Sequence, residues 1–215
     1  MSAAFGDPTL YFGYGSNLWK HQMSLRCPGS QYLGLARLQH YHWIINSRGY
    51  ANIVETKPAP SSTAGADVKN VVWGLVYSLT SEDEAKLDRN EGVPDAYTKE
   101  KLTLEFWPKD GAQSMDVIKT PQSKTMLVYI NRQLTSGDNK PKAEYIHRMN
   151  NGVVDALAEG VPPAYISKVI RHWIPEESRE DEREASNGGE AQKTRTKDLA
   201  EQQARSFVEE DARGL

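Results

Sequence analysis

A short aromatic strand that runs into a glycine turn at the start of a helix constrains this chain more than any other feature. The run is Tyr11-Phe12-Gly13-Tyr14-Gly15-Ser16-Asn17-Leu18. Tyr11 to Tyr14 read as strand and Gly15 as the turn. A helix opens from Trp19, and Asn17 is placed to cap it. Such a corner gathers several main-chain N–H groups in one place. They suit a carboxylate, or the oxyanion of a carbonyl under attack. Glycine also lets a ligand approach the main chain closely.

Two phosphate-binding patterns fail here. A dinucleotide fingerprint needs a third glycine three residues after the second, where this chain has Leu18. It also needs an acidic residue about 20 positions on, and there the sequence reads Leu33-Gly34-Leu35. No Gly-Lys-Ser/Thr triplet of a P-loop follows the turn. Recognition of something small and anionic by the backbone passes these tests, and nucleotide binding does not.

The 215 residues suffice for one domain with a real core, or for a domain and a tail. No apolar run approaches a membrane span, and the N-terminus lacks the basic-then-apolar order of a signal peptide, so no membrane partner is expected. Cys27 is the sole cysteine, which excludes an internal disulfide and predicts a reducing, cytoplasmic setting. The net charge of −3 and the lack of a basic block argue against nucleic acid. Residues 176–215 hold twelve acidic and seven basic residues, a balance of −5 that leaves the other 175 residues at +2. A mildly positive body fits an anionic small substrate.

Along the chain, strands are expected near Thr9–Tyr14, Gln31–Asn46 (as one long strand or two), Asn70–Leu79, Lys99–Trp107, Asp116–Thr120 and Thr125–Ile130. Helices are expected near Leu18–Leu25, Glu82–Arg89, Lys142–Leu157 and Pro163–His172. Thr80-Ser81 ahead of Glu82, Asp83 and Glu84 is a helix start with acidic residues at the positive end of the dipole. Lys57–Gly65 reads as a loop. Strands with helices interspersed irregularly predict an α+β fold with a closed or nearly closed sheet. Residues 1–175 are expected to form the domain and 176–215 a charged tail, disordered or helical in part. Ser186-Asn187-Gly188-Gly189 breaks that tail, and Ala200, Ala204, Phe207 and Val208 share a thin apolar helical face beyond it.

Asp88-Arg89-Asn90-Glu91-Gly92-Val93-Pro94 is the second informative segment. It lies where a short helix ends and a turn precedes a strand. Partial burial there would raise the Glu91 pKa toward neutrality and let the group act as both base and acid. Asp88, three residues earlier, would push the same way by like-charge repulsion. Tyr97, Tyr129 and Tyr145 fall beside turns or on later strands, where hydroxyls can orient a polar substrate. His40 and His42 share a face if their stretch is one strand, but two ligands without a third make a weak metal site. None is expected. Cys27 before a proline reads as a packed small side chain, with a thiol nucleophile as the rival.

Together the two segments resemble the γ-glutamylcyclotransferase family. The first run looks like its N-terminal signature, and Leu87-Asp88-Arg89-Asn90-Glu91-Gly92-Val93 looks like the segment that carries its catalytic glutamate. Val72-Trp73-Gly74-Leu75-Val76-Tyr77 resembles one of its buried strands. The resemblance covers Thr9 to about Arg171 and implies a small closed or nearly closed β-barrel flanked by helices. It implies that Glu91 is the catalytic acid/base. It further implies that Tyr11, Phe12, Gly13, Tyr14, Gly15 and Ser16 cradle the substrate, with Asn17 beside them. Tyr97, Tyr129 and Tyr145 would line the pocket. The implied chemistry is cyclisation of a small-molecule γ-glutamyl substrate to 5-oxoproline with release of an amine, by a monomer or homodimer and without a cofactor. Two alternatives stand beside it: trimming of glutathione conjugates, as in fungal relatives, and a non-catalytic module that binds a small acid.

Overall fold

The structure, a computed structural model, describes residues 8–56, 68–111, 115–137, 139–177 and 190–205. Five strands close a barrel in the order β1 (Thr9–Gly13), β5 (Val71–Leu79), β2 (Gln31–Gln39), β6 (Thr98–Pro108) and β7 (Gln122–Ile130). Four of the five seams are antiparallel. The fifth joins β1 to β7 in parallel, at Tyr11 opposite Leu127. The α+β barrel expected from the sequence is therefore present, and it is closed. β5 lies between β1 and β2 and is apolar along nearly its whole length, as befits a strand covered on both faces.

The segment expected as one strand or two is two. β2 ends at Gln39, and His40 takes a positive φ of 64°. The chain then leaves the barrel, and β3 (Tyr41–Ile45) pairs only with β4 (Ala51–Glu55) in a separate ribbon. His40 and His42 thus do not share one strand. β4 had no counterpart among the expected strands. The strand expected at Asp116–Thr120 does not form. Asp116 accepts from the main-chain N–H of Ile118 and of Lys119, closing turns, and Ile118 stands in solvent. β2 carries a bulge between Tyr32 and Gly34. Gly34 has φ +145°, and a Cβ there would come within 2.2 Å of the Trp107 carbonyl.

Helix α1 (Lys20–Arg26) follows a short 3-10 turn, Ser16–Leu18. Asn17 does not cap it: Trp19 is the N-cap, and no side chain bonds there. Helix α2 (Ser81–Asn90) begins as the sequence indicates, with the Thr80 hydroxyl accepting from the Asp83 N–H and acidic residues in the first turn. Helix α3 (Ala143–Glu159) buries Tyr145, Met149, Val153 and Ala156, a helical stripe, and stops on Gly160 in the left-handed region. The next helical stretch runs from α4 (Pro163–Tyr165) through a π-turn (Ile166–Ile170) into α5 (Arg171–Trp173). Helix α6 (Glu190–Arg205) packs on α1 and α3 with Ala200 and Ala204 fully buried. Phe207 and Val208, the glycines at 188 and 189, and the Lys57–Gly65 loop lie outside the described residues. Among the described residues no helix is long and apolar enough to cross a membrane.

Candidate active site

The strand–turn motif delivers its residues to one cleft at the end of β1. Pleating sends alternate side chains to opposite faces, so Tyr11 and Phe12 point apart. Tyr11, Tyr14, Gly15, Ser16 and Asn17 line the cleft. Phe12 turns into the core with no exposure, and Gly13 backs onto Asn17; neither lines the cleft. The end of α2 supplies Glu91, and the loop after it supplies Tyr97. Tyr129 comes from β7, Tyr145 and Arg148 from α3, Arg26 from α1, and Tyr50 and Ala51 from the start of β4. Nine of the eleven residues singled out from the sequence therefore meet in one place.

Glu91 is the acidic residue of the lining, partly covered with its carboxyl in the cleft. Burial raises its pKa above the ordinary glutamate value. Arg26, Arg148 and the Asn17 side chain pull it back without cancelling the effect. The Asn17 amide donates to Glu91 Oε1 at 3.4 Å and to the Tyr11 hydroxyl at 2.7 Å. Its own oxygen accepts from Gln22 Nε2 (2.7 Å) and from an Arg26 terminal nitrogen (3.2 Å). Two donors on that oxygen fix the orientation of the amide. Asp88 is not among the leading influences on Glu91. Its carboxylate accepts from Lys99 Nζ at 2.9 Å and from the Tyr129 hydroxyl at 2.6 Å, and burial dominates at Glu91 instead.

The tyrosines divide by what their hydroxyls are already doing. Tyr14 donates to the Tyr129 carbonyl (2.6 Å) and Tyr97 to the Ala51 carbonyl (3.1 Å). Those oxygens keep lone pairs for a ligand cation. The Tyr145 hydroxyl does the reverse. It accepts from the main-chain N–H of Ser16 and of Ala51, each at 3.2 Å, so its own proton is what remains to offer. Gly15 makes room for it: a Cβ there would sit 2.9 Å from Tyr145 Oη.

Sequence reasoning did not find the two buried guanidiniums. Arg148 makes a two-pronged pair with Glu144 (2.7 and 3.1 Å) and donates to Ser16 Oγ (3.0 Å) and Gln22 Oε1 (3.2 Å). Burial, with Arg148 nearby, lowers the pKa of Arg26 to about 10. The one legible signal was Glu144 and Arg148 spaced four apart on the helix that carries Tyr145. Both guanidiniums line the cleft with Glu91, and Arg148 is paired with Glu144. Cys27, the rival nucleophile, is fully buried and lies outside the cleft. Its thiol contacts the Asp83 carbonyl at 3.7 Å, and burial raises its pKa to about 12, so it is no thiolate at neutral pH.

Known proteins share this architecture and this stretch of sequence. The chain is 34% identical over 89 residues to the gamma-glutamylcyclotransferase of Bos taurus, covering 41% of this chain and 46% of that protein. It is also 34% identical over 85 residues to the gamma-glutamylcyclotransferase of Homo sapiens, covering 39% and 44%. The aligned stretch thus spans under half the length of these curated relatives. A solved structure described as gamma-glutamyl cyclotransferase superposes with a TM-score of 0.57 at 22% identity, covering 85% of this chain and all of that one. That likeness establishes the shared fold. The family model for gamma-glutamyl cyclotransferase, AIG2-like, matches residues 11–147, from the first tyrosine of the strand–turn motif to the helix that carries Tyr145, and the chain belongs to that family.

Proposed function

We propose that the protein is a γ-glutamylcyclotransferase, closing the γ-glutamyl group of a small substrate into 5-oxoproline and releasing the amine, with Glu91 as general acid/base. The observation that carries the reading is the Glu91 carboxyl, set by burial above its ordinary pKa in a cleft of tyrosines and held by Asn17.

A γ-glutamyl amide brings an α-ammonium, an α-carboxylate and the scissile γ-carbonyl. The lone pairs of Tyr14 and Tyr97 and the Glu91 carboxylate suit the ammonium. The turn at Gly15–Asn17 and the positive field of Arg26 and Arg148 suit the carboxylate. Glu91 takes a proton from the ammonium, and the freed amine attacks the γ-carbonyl. A ring C–N bond forms as negative charge collects on the carbonyl oxygen, where the Tyr145 proton stabilises it. The γ C–N bond then breaks as Glu91 returns its proton to the departing nitrogen, and the second proton of the ring nitrogen passes through Glu91 to the released amine, which leaves as an ammonium. The attack is intramolecular, so the main task of the cleft is to hold the substrate folded.

The test is 5-oxoproline release, read by mass spectrometry, from γ-glutamyl dipeptides, γ-glutamyl amines, glutathione and glutathione conjugates. Release from at least one class supports the reading, and the class identifies the leaving group. Binding of 5-oxoproline with release from none would make the cleft a binding module.

A further inference from the structure

Arg26 reaches in two directions. One terminal nitrogen donates to Asn17 Oδ1 at 3.2 Å, inside the cleft. Its Nε donates to the Ala204 carbonyl at 3.1 Å and its other terminal nitrogen to the Gln203 carbonyl at 2.8 Å. Those carbonyls belong to α6, Glu190–Arg205. A guanidinium has five donors and no acceptor, so main-chain carbonyls are suitable partners for it. Arg26 is 4% exposed, and a buried cation needs partners of this kind to stay charged. Ala200 and Ala204 are fully buried, and Glu201 pairs with His21 of α1 at 3.4 Å. α6 lies outside residues 11–147, the segment matched by the family model.

We infer that α6 is a working part of the active site: its Gln203 and Ala204 carbonyls lock Arg26, Arg26 with Gln22 orients the Asn17 amide, and Asn17 holds Glu91 in place. Arg26 is thus a positioning residue, and the polar C-terminal helix is what positions it. The linkage runs from Gln203 and Ala204 to Glu91 through three consecutive side-chain contacts. Among the described residues α6 buries only the small side chains Ala200 and Ala204 fully, and the guanidinium clamp adds a polar hold to that contact. Release of the helix and loosening of the site then go together.

The kinetic part of this inference rests on the reaction proposed above; the exchange part does not. Ala200→Glu alters no residue of the cleft and puts a charge where a methyl is fully buried, which drives α6 off. Ala200→Ser keeps the helix seated. Arg26→Lys keeps a charge but cannot bond three acceptors in a fork. In the full-length Ala200→Glu protein, hydrogen exchange at the Leu18 and Trp19 amides, which close the site turn onto Gly15 and Ser16, should quicken about tenfold. Amides of β5 should keep their protection, and Ala200→Ser should match the wild type. The kcat for 5-oxoproline release should fall about tenfold with KM changed less than about threefold, Arg26→Lys should do the same, and the double variant should lose nothing further. An unchanged turn while the α6 amides exchange freely would overturn the inference, as would losses that multiply in the double variant. If Ala200→Glu does not fold, Arg26→Lys decides, since it breaks the same link from the other side. A wild type that releases no 5-oxoproline would refute the reaction and leave the exchange result to judge the linkage.

Discussion

Glu91 is a carboxylate placed where it is costly to ionise. Its segment was legible because a short acidic-capped helix that ends in Glu-Gly-Val-Pro leaves its last carboxylate at a turn. Its partners were not legible. Arg26 and Arg148 lie 65 residues before it and 57 after it, and only closure of the fold brings them to one wall. Glu91→Gln keeps the shape and removes the proton shuttle. The kcat should fall by about 10²–10⁴, measured as 5-oxoproline release; retention of more than about a tenth of wild-type kcat would end the assignment. The same variant reports on stability. The folded pKa of Glu91 lies above the unfolded value, so the folded state holds more protons between the two. This group's contribution is present below the ordinary glutamate pKa and is lost as pH rises through the folded value. Above that window Glu91→Gln should melt no lower than the wild type, and the fall in melting temperature with rising pH should flatten. Arg148→Met should behave oppositely. It leaves the Glu144 carboxylate buried without its two-pronged partner, at a cost of about 3–5 kcal/mol by denaturant titration.

At the scale of elements, the strand–turn–helix corner was read correctly in its parts and wrongly in one purpose. Asn17 caps nothing, because a 3-10 turn intervenes and moves the helix start to Lys20. Its amide is thereby left for Glu91. The ribbon strand β4 was missed because Ala51-Asn52-Ile53-Val54-Glu55 is short and carries a polar residue that is needed inside. Asn52 is fully buried, giving two bonds to the Asn131 and Leu134 carbonyls and taking one from the Asn131 N–H. The false strand at Asp116–Thr120 had the right residues for a strand, but Asp116 closes a turn on the next residues instead. The corner's main constraint is testable at Gly15. A Cβ there collides with the Tyr145 hydroxyl, which holds Ser16 to Ala51 across the cleft. Gly15→Val should weaken 5-oxoproline binding at least tenfold by calorimetry, a loss of about 1.4 kcal/mol. Tyr145→Phe should lose less on its own, and adding it to Gly15→Val should cost less than the sum of the two, since the collision partner is gone. Unchanged affinity in a folded Gly15→Val protein would place the ligand elsewhere.

Over the whole molecule, an α+β fold with a closed or nearly closed sheet was legible from the order of strands and helices. Which strands close it was not, because the parallel seam between β1 and β7 joins residues more than a hundred positions apart. That closure is what makes the site a property of the entire fold: β1, α1, β4, α2, β7 and α3 each contribute to the lining. A ligand bound there touches several of these elements at once, so binding should stabilise the molecule as a unit. At a 5-oxoproline concentration of about 100 times Kd, linkage gives about 2.7 kcal/mol. For a chain of this length that is a rise of about 5–10 °C in melting temperature, in a single transition. An analogue in which the carboxylate is amidated should give a much smaller rise, because the positive field and the turn amides are matched to an anion. Gly15→Val should abolish the shift, while Glu91→Gln should largely keep it, since Glu91 is assigned to move protons and the product no longer carries an ammonium. A full shift with the amide, or none in the wild type at saturating product, would show that the cleft does not recognise the carboxylate of a γ-glutamyl head.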